Sequence, residues 1–443
     1  MLVGDYYIFG GNSMSIEIIV GTNWGDEGKG RMVDYLAQDA DVVVRYQGGN
    51  NAGHTVVNEM GTFKLHLIPS GVFNPTTVNV LGPGMVIDLE ALDKEITDLQ
   101  MRINHPINIK VADRATICFP FNWKEDTWEE ERLESSGQSP FGSTKRGIAP
   151  AYGDRHLKKG IQVGELLYPD RLKDRLYQLV EWKNLIARGI YGKEHGISFA
   201  EIWDWVNTFG DHIKHLICDT SEFLERAALD NKKILFEAQL GSLRDIYFGV
   251  YPFTTSSSAL AAFAPIGGGL FGKIPDRIIG VMKAFSTCVG EGPFVTEIGE
   301  AEVANELRET ALEYGAATGR PRRIGHFDAL ASRYGAYVQG TTEIALTKLD
   351  SLSNRSPLLI CTHYEFNGKL LENFPINAVL EQCRPIYKEM EGWQEDISAI
   401  RCFEELPKAA KEYVLEIERL IARPIRYISV GARRECLIDR GAL

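Results

Sequence analysis

A glycine-rich run from Trp24 to Gly30, WGDEGKG, combines the features of a phosphate-binding loop with two acidic side chains. It follows the β-branched segment Ile16 to Val20, and a loop that joins a strand to a helix presents backbone N–H groups and the positive end of the helix dipole to anions. The run differs from the usual phosphate loop, because Gly30 stands where serine or threonine is expected and because Asp26 and Glu27 lie inside it. The pattern favours a phosphate site whose carboxylates need a chemical role of their own. An ordinary tight turn with a solvated surface is the alternative.

A second glycine run, RYQGGNNAGHT from Arg45 to Thr55, follows the apolar segment Val42 to Val44. Loops at the carboxyl ends of neighbouring parallel strands face one crevice, where open α/β sheets bind their ligands. We therefore expect the two runs to form one site. A histidine beside a phosphate loop suits acid–base or transition-state work, so His54 is a candidate catalytic residue, with structural hydrogen bonding as the alternative.

The elements that position these loops are predicted from hydrophobic periodicity. Strand-like runs recur along the chain, and many are apolar on both faces: SIEIIV, DVVVRY, FKLHLI, TVNVLG, INIKVA, KKILFE, RIIGVM, TEIALT and IRYISV. Amphipathic helical patterns lie between many of them, for example from Asp88 to Ile103 and from Pro407 to Ile421. The alternation predicts an α/β fold with a large, mostly parallel central sheet covered by helices, a P-loop-like nucleotide site and helical insertions.

The chain is predicted to form a single domain over residues 14–443, with residues 1–13 as an N-terminal extension outside the core fold. A helix-rich insertion is expected at about residues 172–230. The polar stretch from Lys124 to Ser139 predicts a helix end and a mobile loop.

Composition limits the classes of function. The net charge of −12 argues against nonspecific binding to nucleic acid or to an anionic membrane. Seven dispersed cysteines without a Cys-x-x-Cys motif suit free thiols in a reducing compartment. No apolar run approaches the length of a membrane span, and residues 1–13 lack the basic start of a signal peptide. A cytoplasmic protein is expected.

Further motifs make the pattern specific. They are HLIPSGV (66–72), GSTKRGIAPAYGD (142–154), YPFTTSS (251–257), KAFSTCVGEGPFVTE (283–297), TGRPRRIGHFD (318–328), LTKLD (346–350) and YISVG (427–431). These motifs follow WGDEGKG and NNAGHT in the order found in the adenylosuccinate synthetase family. The chain resembles that family from residue 14 to its C-terminus. That family joins IMP and L-aspartate at the expense of GTP, so the resemblance implies a GTP-dependent C–N ligase of AMP biosynthesis.

The resemblance implies roles for the residues of both glycine runs. Asp26 matches the general base that removes the proton from N1 of the purine, after which the 6-oxygen attacks the γ-phosphate of GTP and aspartate displaces the resulting 6-phosphate. Asp26 and the carbonyl of Gly53 match the ligands of Mg²⁺. His54 matches the catalytic histidine, which donates to the phosphate or the 6-oxygen.

The resemblance also implies the binding positions. Those for the phosphates and guanine of GTP are Gly25, Glu27, Gly28, Lys29, Gly30, Gly53, Thr55, Arg322, Lys348, Leu349, Asp350, Ser429, Val430 and Gly431. Those for IMP and aspartate are Asn51, Thr144, Lys158, Gln239, Leu240, Thr255, Thr318, Gly319 and Arg320. Asp350 also has a physical argument, because a carboxylate can accept two hydrogen bonds from guanine N1–H and its 2-amino group, and adenine has neither donor there.

The chain departs from the family at three places. Its FEAQLG replaces Phe-Glu-Gly-Ala-Gln-Gly, so Leu240 stands where the family has the glutamine that contacts the purine, unless a one-residue shift brings Gln239 there. Ala317 precedes Thr318 where two threonines are common, which weakens aspartate binding modestly. Lys158 aligns with the arginine that one subunit of a homodimer gives to its partner's IMP phosphate, and lysine lacks the bidentate geometry.

These departures leave two alternatives to adenylosuccinate synthesis. One is an enzyme of the same mechanism with a shifted purine or amino-acid substrate, although Asp26 argues against a 2-amino purine. The other is a regulator that binds GTP without turning it over.

Overall fold

In a computed structural model, which describes residues 15–194, 196–315 and 319–441, the predicted strands gather mainly into one ten-stranded sheet. The strands are β1 (Ile16–Gly21), β2 (Val42–Arg45), β3 (His54–Asn58), β4 (Gly61–Leu65), β5 (Val78–Leu81), β6 (Val86–Ile87), β7 (Ile109–Ala112), β8 (Thr116–Ile117), β9 (Ile217–Cys218), β10 (Ile234–Gly241), β11 (Arg277–Lys283), β12 (Ser286–Cys288), β13 (Arg323–Gly325), β14 (Phe327–Asp328), β15 (Glu343–Thr347), β16 (Leu358–Phe366), β17 (Lys369–Leu371), β18 (Arg384–Met390), β19 (Ile425–Ser429) and β20 (Leu437–Asp439).

The order in the main sheet is β20-β19-β15-β11-β1-β10-β2-β5-β7-β9, and every neighbouring pair is parallel except β19 with β20. The predicted α/β class with a mostly parallel central sheet is therefore confirmed.

Helices cover the sheet and connect its strands. They are α1 (Lys29–Leu36), α2 (Leu89–Arg102), α3 (Pro120–Ser135), α4 (Ile148–His156), α5 (Pro169–Gly189), α6 (Phe199–Ile213), α7 (Thr220–Leu229), α8 (Ala264–Gly268), α9 (Ala301–Ala311), α10 (Ala329–Gln339), α11 (Asn377–Leu380) and α12 (Lys408–Ile421). Within the described ranges, none of them is long and apolar enough to cross a membrane.

The central strand β1 is buried on both faces, as its unbroken apolar sequence requires. Ile19 packs on one face with Met32 and Val33 of α1. Ile18 and Val20 point to the opposite face, into a cluster that includes residues of α7 and α8. This double burial fixes the end of β1, and therefore the start of the glycine loop that follows it.

Residues 172–230 contain most of α5 together with α6, β9 and α7. β9 pairs with β7 as an edge strand of the main sheet, so this stretch contributes to the sheet as well as adding helices to it. The predicted extension 1–13 lies outside the described residues, as do Ala317 and Thr318.

Candidate functional site

Four loops meet at the carboxyl edge of the sheet, following β1, β2, β10 and β15. The loop after β1 runs into α1, whose N-cap Gly28 has a φ of 97°. Gly25 and Asp26 also have left-handed backbones, with φ of 99° and 59°. Glycine adopts this conformation without strain, whereas an aspartate requires compensating contacts.

Glu27 supplies those contacts. Its buried carboxylate accepts the N–H groups of Asn23 at 3.1 Å and Gly25 at 2.9 Å, and the Nζ of Lys29 lies 2.6 Å from its other oxygen. The Glu27 side chain therefore holds the loop closed from inside. Lys29, predicted to bind phosphate, is 3% exposed and makes this buried pair.

Gly30 is explained by its neighbour. A Cβ added at Gly30 would lie 2.9 Å from the Cβ of His54 and 3.5 Å from the Oγ of Ser70. A serine or threonine, as in the usual phosphate loop, would displace the histidine. The departure from the common motif thus makes room for His54.

His54 begins β3 and is held by a residue that the sequence did not single out. Its Nδ1 is hydrogen-bonded to Oε1 of Glu237, in the middle of β10. Glu237 also accepts the Ser70 N–H at 2.7 Å and the Ser70 hydroxyl at 2.8 Å, and it is fully buried. In the sequence Glu237 is only the last residue of the strand-like run KKILFE, and its partner His54 is distant in the chain.

Burial and the contacts between His54 and Glu237 shift the pKa values of both side chains. Burial lowers the pKa of His54, and the Glu237 carboxylate opposes that effect only in part. Burial raises the pKa of Glu237, but His54 and Arg45 outweigh it, so the pKa lies below its usual range. The pair is therefore a neutral imidazole that donates from Nδ1 to an ionised carboxylate, which leaves Nε2 for a ligand.

Asp26 belongs to a chain of alternating charges. Its carboxylate lies 2.9 Å from a guanidinium nitrogen of Arg322, and Arg322 lies 2.5 Å from the buried Glu313. Lys283 in turn lies 2.7 Å from Glu313, and burial lowers the pKa of Lys283 to about 8. Arg322, predicted to contact GTP, is thus paired with the predicted general base.

A cavity of about 510 Å³ opens beside Asp26. Predicted site residues line it: Asp26, Asn51, Gly53, Thr144, Leu240, Thr255 and Arg320. Trp24, Arg244 and Tyr251 line it as well and were not predicted. Lys158 does not line it; this lysine is exposed, with a φ of 62°, just after α4.

Leu240 and Gln239 have opposite orientations. Between Ile19 and Gly21 of β1 the pairing with β10 shifts register, and Leu240 in the resulting bulge has a φ of 62°. Leu240 faces the cavity, whereas Gln239 is fully buried and bonds the backbone of Gly49, donating to its carbonyl at 2.8 Å and accepting its N–H at 3.2 Å. The geometry therefore does not support the predicted substrate contact of the Gln239 side chain, because that side chain is committed to Gly49.

The predicted guanine positions lie where β15 and β19, two neighbouring strands of the main sheet, end. Oδ1 of Asp350 is buried and has no hydrogen-bond partner in the part of the chain that the structure describes. Burial raises the pKa of this carboxyl. A buried acceptor without a partner costs free energy, so a ligand that donates a hydrogen bond to Oδ1 would be stabilised here.

Arg31 organises the neighbouring loop and was not predicted. Its guanidinium is hydrogen-bonded to the hydroxyl of Ser429 and donates to the carbonyls of Arg433 and Cys436, both at 2.7 Å. Ser429 also donates to the carbonyl of Gly431 at 3.2 Å. The first turn of α1 therefore connects the phosphate loop to the residues predicted to hold the base.

Comparison with known proteins agrees with this geometry. Residues 18–438 match the family model for adenylosuccinate synthetase. The chain is 47% identical over 426 residues to adenylosuccinate synthetase 2 of Pseudoalteromonas translucida, covering 96% of this chain and 99% of that protein. The fully ligated adenylosuccinate synthetase from Plasmodium falciparum superposes with a TM-score of 0.89 at 33% identity, covering 97% of this chain and 100% of that chain.

A more distant structure shares the fold alone. The succinoaminodeoxyadenylate synthetase of cyanophage S-2L, bound to dGMP and dATP, has a TM-score of 0.58 at 17% identity. It covers 97% of this chain and 96% of its own.

Proposed function

This chain belongs to the adenylosuccinate synthetase family, and from that premise we propose how its own residues carry out the reaction. The enzyme is a GTP-dependent ligase that joins IMP and aspartate into adenylosuccinate in purine biosynthesis. The amide-like 6-oxygen of IMP is a poor leaving group, so GTP first phosphorylates it and aspartate then displaces the phosphate. The observation that carries our assignment of residues is that Asp26 lines one cavity with Asn51, Thr144 and Thr255.

Asp26 takes the proton from N1 of the purine, which turns the 6-oxygen into a nucleophile. Its side chain is 24% exposed and stands on the wall of the cavity proposed to hold the base. Because Arg322 is paired with this carboxylate, Arg322 has to turn toward the triphosphate before Asp26 can act. Guanidinium forks suit phosphate oxygens, so GTP is the ligand expected to draw Arg322 away.

Mg²⁺ fits the donors at this point, since the carboxylate of Asp26 and the carbonyl of Gly53 are hard oxygen donors on one cavity wall. Among the residues described, no group of three or more His, Cys, Asp or Glu side chains could hold a metal ion. Mg²⁺ does not require such a group, because one or two carboxylates hold it together with substrate phosphates. When bound, the ion supplies positive charge that offsets repulsion between the phosphates.

His54 donates from Nε2 to the transferring phosphoryl group or the 6-oxygen as negative charge develops there. Glu237 orients the ring through Nδ1 and stabilises the imidazolium that this role requires. An arriving anionic phosphate also favours the imidazolium and so opposes the effect of burial on the pKa of His54.

Asp350 selects guanine. Its buried Oδ1 needs a donor, and guanine N1–H and the 2-amino group supply two donors that adenine lacks. Lys348, Ser429 and Gly431 complete this subsite. Leu349 follows Lys348 in the chain, and Val430 lies between Ser429 and Gly431.

The functional unit is a homodimer in the cytoplasm. Lys158 is exposed and lies outside its own cavity, which suits a lysine that reaches the IMP phosphate of the partner subunit. All seven cysteines are free thiols, as a reducing compartment favours.

The test is turnover of IMP, GTP, aspartate and Mg²⁺, followed by the absorbance change of the product. Asp26→Asn is expected to lower kcat by about 10²–10⁴-fold, since it removes the general base. The control Asp39→Asn changes an exposed aspartate after α1 and should leave kcat unchanged. A folded Asp26→Asn variant that retains near-normal turnover contradicts the mechanism, and GTP binding without phosphate release in the wild type would favour a regulator.

A shifted substrate is the second candidate, and Leu240 is the observation that favours it, because an apolar side chain faces the proposed purine site. A panel of purine monophosphates and amino acids separates the two. Adenylosuccinate synthesis requires IMP and aspartate to have the highest kcat/KM of the panel.

A further inference from the structure

Helices α3 and α4 are joined by a segment that contains Thr144, which the proposed function places against IMP. Between residues 139 and 144 the segment has no regular structure. Gly142, Lys145 and Gly147 have positive φ of 72°, 56° and 73°. A segment with three left-handed residues within six positions keeps one conformation only when other contacts fix its backbone, and for Lys145 that conformation costs free energy.

Two carboxylates of α3 supply those contacts. Glu130 accepts the N–H groups of Phe141, Gly142 and Ser143, the first on Oε1 at 3.0 Å and the others on Oε2 at 3.0 and 3.1 Å. Asp126 accepts the hydroxyl of Ser143 at 2.6 Å on Oδ1 and the N–H of Gly147 at 2.9 Å on Oδ2.

The spacing and burial of these carboxylates suit that role. Asp126 and Glu130 are four residues apart and therefore lie on one face of the helix. They are 7% and 8% exposed, so their charge-assisted bonds are little weakened by water. Both also line the cavity, yet all four of their oxygens are bonded to the segment, so these lone pairs are not turned toward an anionic ligand.

A buried lysine connects the two helices that flank the segment. Lys183 of α5 lies 2.6 Å from Glu125 of α3 and 2.6 Å from Asp154 of α4. Asn122 of α3 donates to the other oxygen of Asp154 at 2.8 Å. The two helices that carry the ends of the segment are thus tied to each other and to the helical stretch behind them.

We propose that Glu130 and Asp126 are positioning residues that hold segment 141–147 so that Thr144 meets the purine nucleotide. The inference rests on the proposed function, in that Thr144 is taken to contact IMP. It adds that affinity for the nucleotide depends on two carboxylates whose oxygens are bonded to the segment instead.

The kinetic test is Glu130→Gln, with Glu134→Gln as the matched control one turn along the same helix, where the glutamate is exposed. The glutamine keeps the shape of the side chain but removes its charge and sets an NH₂ donor against N–H donors. We expect KM for IMP to rise about tenfold or more, while kcat and the KM for GTP stay within about twofold. A KM for IMP equal to that of the control overturns the inference.

A second measurement reads the segment directly. Lys145 and Arg146 are exposed tryptic sites within it. In Glu130→Gln, cleavage after them, identified by mass spectrometry of the fragments, should be several-fold faster than in Glu134→Gln while the circular dichroism spectrum is unchanged. Equal cleavage rates overturn the inference. If Glu130→Gln does not fold, Asp126→Asn takes its place in both measurements, with the same expected and contrary results.

Failure of the proposed function looks different. It appears as a wild-type enzyme that makes no product from IMP, GTP and aspartate, and the proteolysis comparison still tests the segment. An active wild type with an unaffected Glu130→Gln variant defeats only the inference.

Discussion

The substitution Glu237→Gln isolates what the carboxylate behind His54 does. Glu237 uses Oε1 for His54 and the Ser70 hydroxyl, and Oε2 for the Ser70 N–H at 2.7 Å. Glutamine has the same shape but only one acceptor oxygen. Its NH₂ group must therefore face either the Ser70 N–H or the donating Nδ1 of His54, so one buried donor loses its acceptor.

The magnitude follows from those contacts. One buried donor left without a partner costs about 1–3 kcal/mol of folding free energy. A hydrogen bond to a charged group contributes about 1.5–3 kcal/mol, and if that loss falls on the transition state, kcat drops about 10- to 150-fold. The carboxylate also opposes the effect of burial on His54, so without it the pKa of His54 falls further. Less imidazolium then remains as pH rises, and the ratio of wild-type to variant kcat should be smallest at acid pH.

The assay is kcat against pH for wild type, Glu237→Gln and the control Glu95→Gln. Glu95 also accepts backbone N–H groups, from His66 at 2.8 Å and Leu67 at 2.9 Å, but none of its hydrogen bonds in the described structure is to His54. Glu95→Gln is expected to lower thermal stability and to leave kcat within about twofold. A folded Glu237→Gln enzyme with the kcat and pH profile of the control would refute the reasoning.

Three further substitutions probe the ends of the site. Asp350→Asn should raise KM for GTP about tenfold or more. Because burial raises the pKa of Asp350, the wild-type carboxylate becomes protonated as pH falls, and KM for GTP should rise with it. The variant should not show this pH dependence. Leu240→Gln should lower KM for IMP about two- to tenfold, which is the effect of one neutral hydrogen bond. Leu240→Met, which adds no hydrogen bond, is the control for the same measurement. Gly30→Ala should lower kcat about tenfold, because its Cβ would lie 2.9 Å from the Cβ of His54, whereas Gly189→Ala, where a Cβ meets nothing within 4 Å, should not. Unchanged kinetics in any of the three contradict the role given to that residue.

Local signals were enough to predict the regular elements of the fold. The helix expected from Asp88 to Ile103 is α2, and Asp88 is its N-cap, accepting the N–H of Ala91 at 3.0 Å. Only the first half of the run FKLHLI, residues 63–65, lies in β4, and β4 pairs antiparallel with β3, apart from the main sheet. Periodicity identifies a strand from its own residues, whereas its partner is set by contacts elsewhere in the chain.

Features that depend on contacts between distant parts of the chain could not be predicted from the sequence. The polar stretch from Lys124 to Ser139 was expected to be a helix end and a mobile loop, yet α3 runs through most of it and buries Asp126 and Glu130. Charged side chains are exposed on average. Asp126 and Glu130 are buried because the segment that follows α3 folds back and donates its backbone N–H groups to them. The bulge at Leu240 had no signal either, because leucine seldom adopts a positive φ.

The acids that made the glycine loop unusual are each matched by a cation or a set of N–H donors. Glu27 is neutralised by Lys29 inside the loop, and Asp26 by Arg322 at its surface. The difference lies in exposure: the Glu27–Lys29 pair is buried at 2% on both sides and is closed to ligands, whereas Asp26 is 24% exposed on the cavity wall. In the proposed mechanism a triphosphate draws Arg322 from Asp26 more readily than Lys29 from Glu27, because separating Lys29 from Glu27 would leave a desolvated carboxylate unpaired, which is the costlier exchange. In the proposed mechanism burial sets the order of these exchanges: GTP recruits Arg322 first, because its partner Asp26 is the more exposed acid, and the departure of Arg322 frees the proposed proton acceptor.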